Sequence, residues 1–188
     1  AAAVIRRGGL VAFPTETVYG LGANAEDPDA VERIFAAKGR PATNPLILHV
    51  ADLAEARELA DPWPETAERL AAAFWPGPLT LILPAAAGLP DGLLGPGRTI
   101  AVRIPPPAWL RAVIRELAEP LTATSANLSG GPELADPAEV AALFDGKVDL
   151  IVDGGPAPGG RPSTIVDIAG PTPRILREGA IPAARIAA

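Results

Sequence analysis

The chemically equipped residues of this chain are hydroxyls, amides and arginines gathered at the ends of apolar runs. Pro14-Thr15-Glu16-Thr17-Val18-Tyr19-Gly20-Leu21-Gly22 follows the run Leu10-Val11-Ala12-Phe13. Branched and aromatic side chains in sequence read as a buried strand, which Pro14 ends. The exit of a strand is where open α/β sheets put ligand-binding groups. Taken alone, Thr15-Glu16-Thr17 reads first as a hydrogen-bonded turn and only second as a ligand site. Thr122-Ala123-Thr124-Ser125-Ala126-Asn127-Leu128-Ser129-Gly130 is a second hydroxyl-rich segment, and Arg161-Pro162-Ser163-Thr164 a third. A turn uses one or two side chains that bond their own backbone. Thr122–Gly130 offers more than a turn needs.

Cations lie beside these segments. Lys38-Gly39-Arg40-Pro41 precedes Asn44-Pro45-Leu46. Gly39 reads as a helix C-cap and Lys38 as a cation offsetting the helix dipole. A Lys and an Arg on a Pro-stiffened loop read equally as a phosphate clamp, with Arg supplying a bidentate fork. Thr99-Ile100-Ala101-Val102-Arg103-Ile104-Pro105 sets Arg103 inside a strand. Alternation sends Ile100, Val102 and Ile104 to one face and Thr99, Ala101 and Arg103 to the other. That second face is either a polar concavity or a solvated edge. Arg177-Glu178-Gly179 supplies one more candidate phosphate contact. The inventory suits holding a polyanion and a small polar co-substrate better than nucleophilic or acid–base work by side chains. Neither a P-loop nor a Gly-x-Gly-x-x-Gly fingerprint is present.

Composition narrows the chemistry further. The chain has 188 residues, 48% hydrophobic and 20% charged, values of a globular domain with a substantial core. With no Cys, there are no disulfides, thiolate metal sites or Cys nucleophile. His49 is the only His, which excludes a poly-His metal centre, and the isolated Asp153 and Asp167 do not make a metal site. A net charge of −6 argues against broad nucleic-acid backbone binding while leaving room for a small basic pocket. No long apolar window spans a membrane. Arg6 and Arg7 follow the apolar part of the N-terminus, the reverse of a secretory signal, so a cytoplasmic location is expected.

The elements that must position these groups alternate along the chain. Asp27-Pro28, Asp52-Leu53-Ala54-Glu55 and Asp136-Pro137 are helix starts. Pro64 to Phe74 and Ala108 to Leu117 carry helical spacing. Strands are expected at Leu46–Val50, Leu79–Leu83, Thr99–Ile104, Leu121–Thr124, Leu150–Val152, Thr164–Ile168 and Arg174–Leu176. Some follow one another with no helix between, so the sheet is mixed. The expectation is one α/β domain over residues 1–188, with Pro84–Gly97, Gly130–Pro132 and Gly154–Pro162 as surface loops.

Six segments occur together in a familiar order. They are Pro14–Gly22, Lys38–Pro41 with Asn44-Pro45-Leu46, Trp75-Pro76-Gly77-Pro78-Leu79-Thr80, Val102-Arg103-Ile104-Pro105, Ser125-Ala126-Asn127-Leu128-Ser129-Gly130 and Ser163-Thr164-Ile165-Val166-Asp167. In this order they resemble the YrdC/Sua5 family of L-threonylcarbamoyladenylate synthases, over most of the chain from about Gly9 to Ile181. The resemblance implies a twisted α/β sheet with a deep, positively charged cavity. It implies that L-threonine, bicarbonate and ATP, with Mg²⁺, give threonylcarbamoyl-AMP and pyrophosphate. Other proteins then transfer that group to adenosine 37 of tRNA. The length is similar to the short bacterial form, which lacks a second domain. By motif position, Thr17, His49, Arg103 and Ser163 surround threonine. Lys38, Arg40, Asn44, Thr99, Ser125, Asn127 and Arg177 surround the nucleotide, with Lys38 and Arg40 stabilising charge on the triphosphate. Two rival readings are an RNA-binding module in tRNA or ribosome maturation and a carbamoyl-transfer enzyme of the same superfamily. The acidic net charge counts against the first, and the absence of Cys against the second.

Overall fold

The computed structural model describes residues 1–41 and 46–186. Nine strands form one sheet: β1 (Val11–Pro14), β2 (Tyr19–Asn24), β3 (Ile47–His49), β4 (Leu79–Pro84), β5 (Thr99–Arg103), β6 (Leu121–Ser125), β7 (Leu150–Ile151), β8 (Thr164–Asp167) and β9 (Arg174–Arg177). Their spatial order is β7-β1-β2-β6-β3-β5-β4-β8-β9. Pairs β1–β7, β3–β5 and β4–β8 are parallel and the rest antiparallel, so the sheet is mixed as expected.

Helices α1 (Ala2–Ile5), α2 (Pro28–Lys38), α3 (Leu53–Glu58), α4 (Glu65–Phe74), α5 (Ala108–Leu117), α6 (Pro137–Phe144) and α7 (Ala183–Ile186) flank it. The Asp caps act as their positions suggest. Asp27 accepts from Asp29 N and Ala30 N, and Asp136 accepts from Ala138 N. Asp52 accepts from Ala54 N and Glu55 N, while Glu55 Oε2 accepts from Ala51 N just ahead of the cap, a close variant of the capping box. Gly39 ends α2 in the left-handed conformation at φ 58°.

The two faces of the sheet are filled differently. On one, Leu21, Leu48, Leu81, Val102 and Val166 join Ile34 of α2 and Leu70 of α4 in the larger core. On the other, Val11, Phe13 and Leu121 pack against α1 and against Leu110 and Ile114 of α5. These helices cover only part of that second face, and the uncovered part holds the site.

Two elements of the structure were not read from the sequence. Thr15–Thr17 is the hydrogen-bonded turn its residues suggest, but Tyr19–Asn24 after it is a strand paired with β1 and β6. Its two glycines hide the strand pattern, and packing explains them. A Cβ on Gly22 would lie 2.8 Å from the Phe13 ring and 2.9 Å from Thr122 O, and one on Gly20 would lie 3.0 Å from the same ring. The glycines make the slot for Phe13, whose ring meets Trp109 edge-on at 6.1 Å. Helix α1 is the second, since a helix of four residues leaves too little periodicity to be read.

Candidate active site

A cavity of about 300 Å³ opens on the partly covered face. Strand register explains its wall. Ile47 pairs with both Ala101 and Ala123, His49 with Arg103, Gly20 with Ser125, and Ile82 with Ala101. Directly paired residues share a face, so small side chains form the floor while His49, Arg103 and Ser125 project from it. The alternation read in Thr99–Ile104 therefore describes a polar concavity rather than a solvated edge, with Ile100 and Val102 in the core.

Thr17, Arg40, His49, Arg103, Ser125, Ser163 and Arg177 all line the cavity. Arg103 is 5% exposed and its Nε donates to Gly77 O at 3.1 Å. That acceptor belongs to the Trp75–Thr80 segment, where a Cβ on Gly77 would fall 2.1 Å from Phe74 O, so no larger residue fits. Burial first, and Arg177 second, push the Arg103 guanidinium down to about 10, still a cation at neutral pH. Burial pushes His49 down to about 4, so its imidazole is neutral, and its Nδ1 is buried without a hydrogen-bond partner. Arg177 donates from Nε and Nη2 to Ser163 O at 3.1 and 2.9 Å, and Ser163 Oγ lies 2.9 Å from Thr80 Oγ1. Burial lowers the pKa of both Arg40 and Arg177, and Arg177 further lowers that of Arg40.

Lys38 and Asn127 stand behind the wall rather than in it. The Lys38 ammonium, 2% exposed, donates to Ser125 O, to Asn127 O at 2.6 Å and to Asn127 Oδ1 at 3.2 Å. Asn127 Oδ1 also accepts from Ser125 Oγ at 2.6 Å, and its Nδ2 donates to Gly131 O at 2.6 Å. Burial, aided by Arg40 and opposed by Glu133, brings Lys38 down to about 8. Reading Lys38 as a direct phosphate clamp is thus corrected. In this structure it braces the β6 exit, because the chain turn after Ser125 aims carbonyl oxygens at it. Thr99 is likewise away from the cavity, with its hydroxyl donating to Pro96 O at 3.0 Å. Alternation gave its face correctly, but it lies at the far end of the strand. Asn44 falls outside the described residues.

The Sua5/YciO/YrdC family model, described as telomere recombination, matches residues 3–179. The chain belongs to this family. It is 50% identical over 182 residues to threonylcarbamoyl-AMP synthase of Pyrococcus abyssi, covering 97% of this chain and 54% of that relative. The Bacillus subtilis protein of the same name is 48% identical over 182 residues, covering 96% and 53%. The chain therefore spans about half the length of these relatives. The crystal structure of P. abyssi Sua5 complexed with L-threonine superposes with a TM-score of 0.93 at 49% identity, over 98% of this chain and 54% of that one. Escherichia coli YciO gives 0.86 at 34% identity, over 95% and 87%.

In this Sua5/YciO/YrdC chain, three residues that sequence reasoning left without a role meet the site. Tyr19 Oη donates to Gly155 O at 2.8 Å, and Gly159 N donates to Thr17 O at 2.8 Å, so the Gly154–Pro162 loop is tied to two residues that line the cavity. Glu133 is the one carboxylate on the cavity wall among the described residues. Glu16 pairs with Arg103. All three contacts join segments far apart in sequence, which no local spacing signals.

Proposed function

We propose that this chain carries out L-threonylcarbamoyladenylate synthesis. The threonine amine and bicarbonate combine to a carbamate with loss of water. A carbamate oxygen attacks the α-phosphorus of ATP, pyrophosphate leaves, and threonylcarbamoyl-AMP results. The observation that carries the reading is the pairing in one cavity of a neutral, hydroxyl-rich corner with a cluster of guanidiniums. Thr17, His49, Ser125 and Ser163 line that cavity together with Arg40, Arg103 and Arg177, and Arg177 is hydrogen-bonded to Ser163 O.

A displacement at phosphorus asks for alignment and charge neutralisation more than for a protein nucleophile. Arg103 takes the threonine carboxylate, while Thr17, Ser163 and the neutral His49 meet its polar atoms. Arg40 and Arg177 neutralise the polyphosphate as charge moves onto pyrophosphate. Lys38 and Asn127 hold the Ser125 turn against which the nucleotide lies. Mg²⁺ enters as part of the ATP substrate. Among the described residues no group of three or more His, Cys, Asp or Glu is arranged to hold a metal. Glu133 fits the habit of Mg²⁺ to bind through one or two carboxylates plus substrate phosphates.

The product is a reactive adenylate for a tRNA-modifying transferase, so we assign the chain to the cytoplasm. No helix among the described residues is long and apolar enough to cross a membrane. The test is mass spectrometry of the product formed from labelled bicarbonate, threonine and ATP. Threonylcarbamoyl-AMP bearing the label is expected. Pyrophosphate release at the same rate without threonine would sink the reading. Tight, salt-dependent RNA binding without ATP turnover would favour the RNA-binding alternative.

A further inference from the structure

Glu16 reaches this site from outside the cavity. Thr15 and Thr17, its neighbours on either side, line the cavity, whereas Glu16 does not. Both its carboxylate oxygens are buried, and Oε1 faces Arg103 Nη2. A tight turn keeps it there: Thr15 Oγ1 donates to Val18 O at 2.6 Å and accepts from Thr17 N at 3.2 Å and Val18 N at 3.3 Å. Thr15 is therefore a brace for the turn that carries Glu16.

The guanidinium of Arg103 is thus gripped along one edge, by Gly77 O at Nε and by Glu16 at Nη2. What is left for a ligand is the Nη1 end. A guanidinium held this way cannot rotate to offer a different edge, and planar recognition of a carboxylate depends on which edge is offered. Glu16 also supplies the nearest negative charge to a buried cation that has another cation, Arg177, acting on it.

We propose that Glu16 is a positioning residue, holding Arg103 from behind the cavity wall so that the Nη1 end meets the substrate carboxylate. The inference rests on assigning the threonine carboxylate to Arg103. Because Glu16 touches Arg103 and not the cavity, it acts on any carboxylate ligand alike, with or without an amine.

The test uses threonine-dependent pyrophosphate release by the wild type, Glu16→Gln, Arg103→Ala and the double variant. A second ligand, 3-hydroxybutanoate, keeps the carboxylate and hydroxyl of threonine but lacks the ammonium, and is read as a competitive inhibitor. Glu16→Gln is expected to raise the threonine KM and the 3-hydroxybutanoate inhibition constant by the same factor, roughly tenfold. The ATP KM stays within about twofold, and the double variant is no worse for threonine than Arg103→Ala alone. Three outcomes overturn the proposal: loss confined to threonine, a fall in threonine KM, or additive effects in the double variant. Glu16→Asp keeps the charge but shortens its reach, so an intermediate KM is expected, and it carries the test should Glu16→Gln fail to fold. An unmoved threonine KM in Arg103→Ala defeats the assignment of Arg103 itself. A raised KM there with an unmoved one in Glu16→Gln defeats only the role of Glu16.

Discussion

Lys38 and Arg103 are both buried cations, yet they end in opposite states. Lys38 delivers its ammonium to three oxygen acceptors on the Ser125–Asn127 turn, so its hydrogen-bonding capacity is spent inside the protein. Arg103 is held along one edge and lines a cavity shared with His49, whose Nδ1 is buried without a partner. Burial and a depressed pKa are common to both residues and so do not distinguish a strut from a binding group. The balance of donors and acceptors does, since a buried polar atom left unsatisfied marks where something else is to bind. The closed corner stabilises the chain. The open corner keeps polar groups available to the proposed substrate.

Four measurements separate the two cations and their surroundings. Arg103→Ala removes a charge-assisted contact to the ligand alone, so the threonine KM should rise by about a hundredfold with the ATP KM little changed. Lys38→Met removes three hydrogen bonds from the Ser125–Asn127 turn and leaves Asn127 O without its donor, and should cost about 3 kcal/mol of stability in urea unfolding. Its threonine KM should move far less than that of Arg103→Ala; a similar rise in both would erase the distinction. His49 stands on the open side and titrates accordingly. Its folded pKa of about 4 lies below the unfolded value of 6.5. As pH falls from neutral toward about 4, the unfolded state therefore takes up a proton that the folded state refuses, and stability drops by about 3 kcal/mol. Denaturation at each pH should show this loss in the wild type and not in His49→Gln. Asn127→Ala gives the smallest effect, about 1–2 kcal/mol, because Lys38 keeps two of its acceptors.

The sequence carried the framework well, because apolar runs and Asp caps state their structure locally. Arg103 was readable for the same reason, since it sits in a clean alternation, whereas His49 was brought to the site only by the resemblance to the family. The closed corner was misread, since Lys38 at a helix end gives no sign of which carbonyl oxygens the distant β6 exit will aim at it. Glu16 and Tyr19 were silent because each acts on a partner from another part of the chain. Thr99 shows the remaining gap. Period two assigns a face, but only the pairing of β5 with β3 and β4 tells how far along that face the cavity extends.

The pairing of His49 with Arg103 across two parallel strands makes the site a matter of parity. One residue inserted within β5 ahead of Arg103 would turn the arginine in among Leu81 and Val166 and present an aliphatic side chain to the ligand. Strands β3 and β5 should therefore tolerate substitution far better than any change of length. Evolution can lengthen the Pro84–Gly97 loop between β4 and β5 freely, but can alter the strands only by exchange.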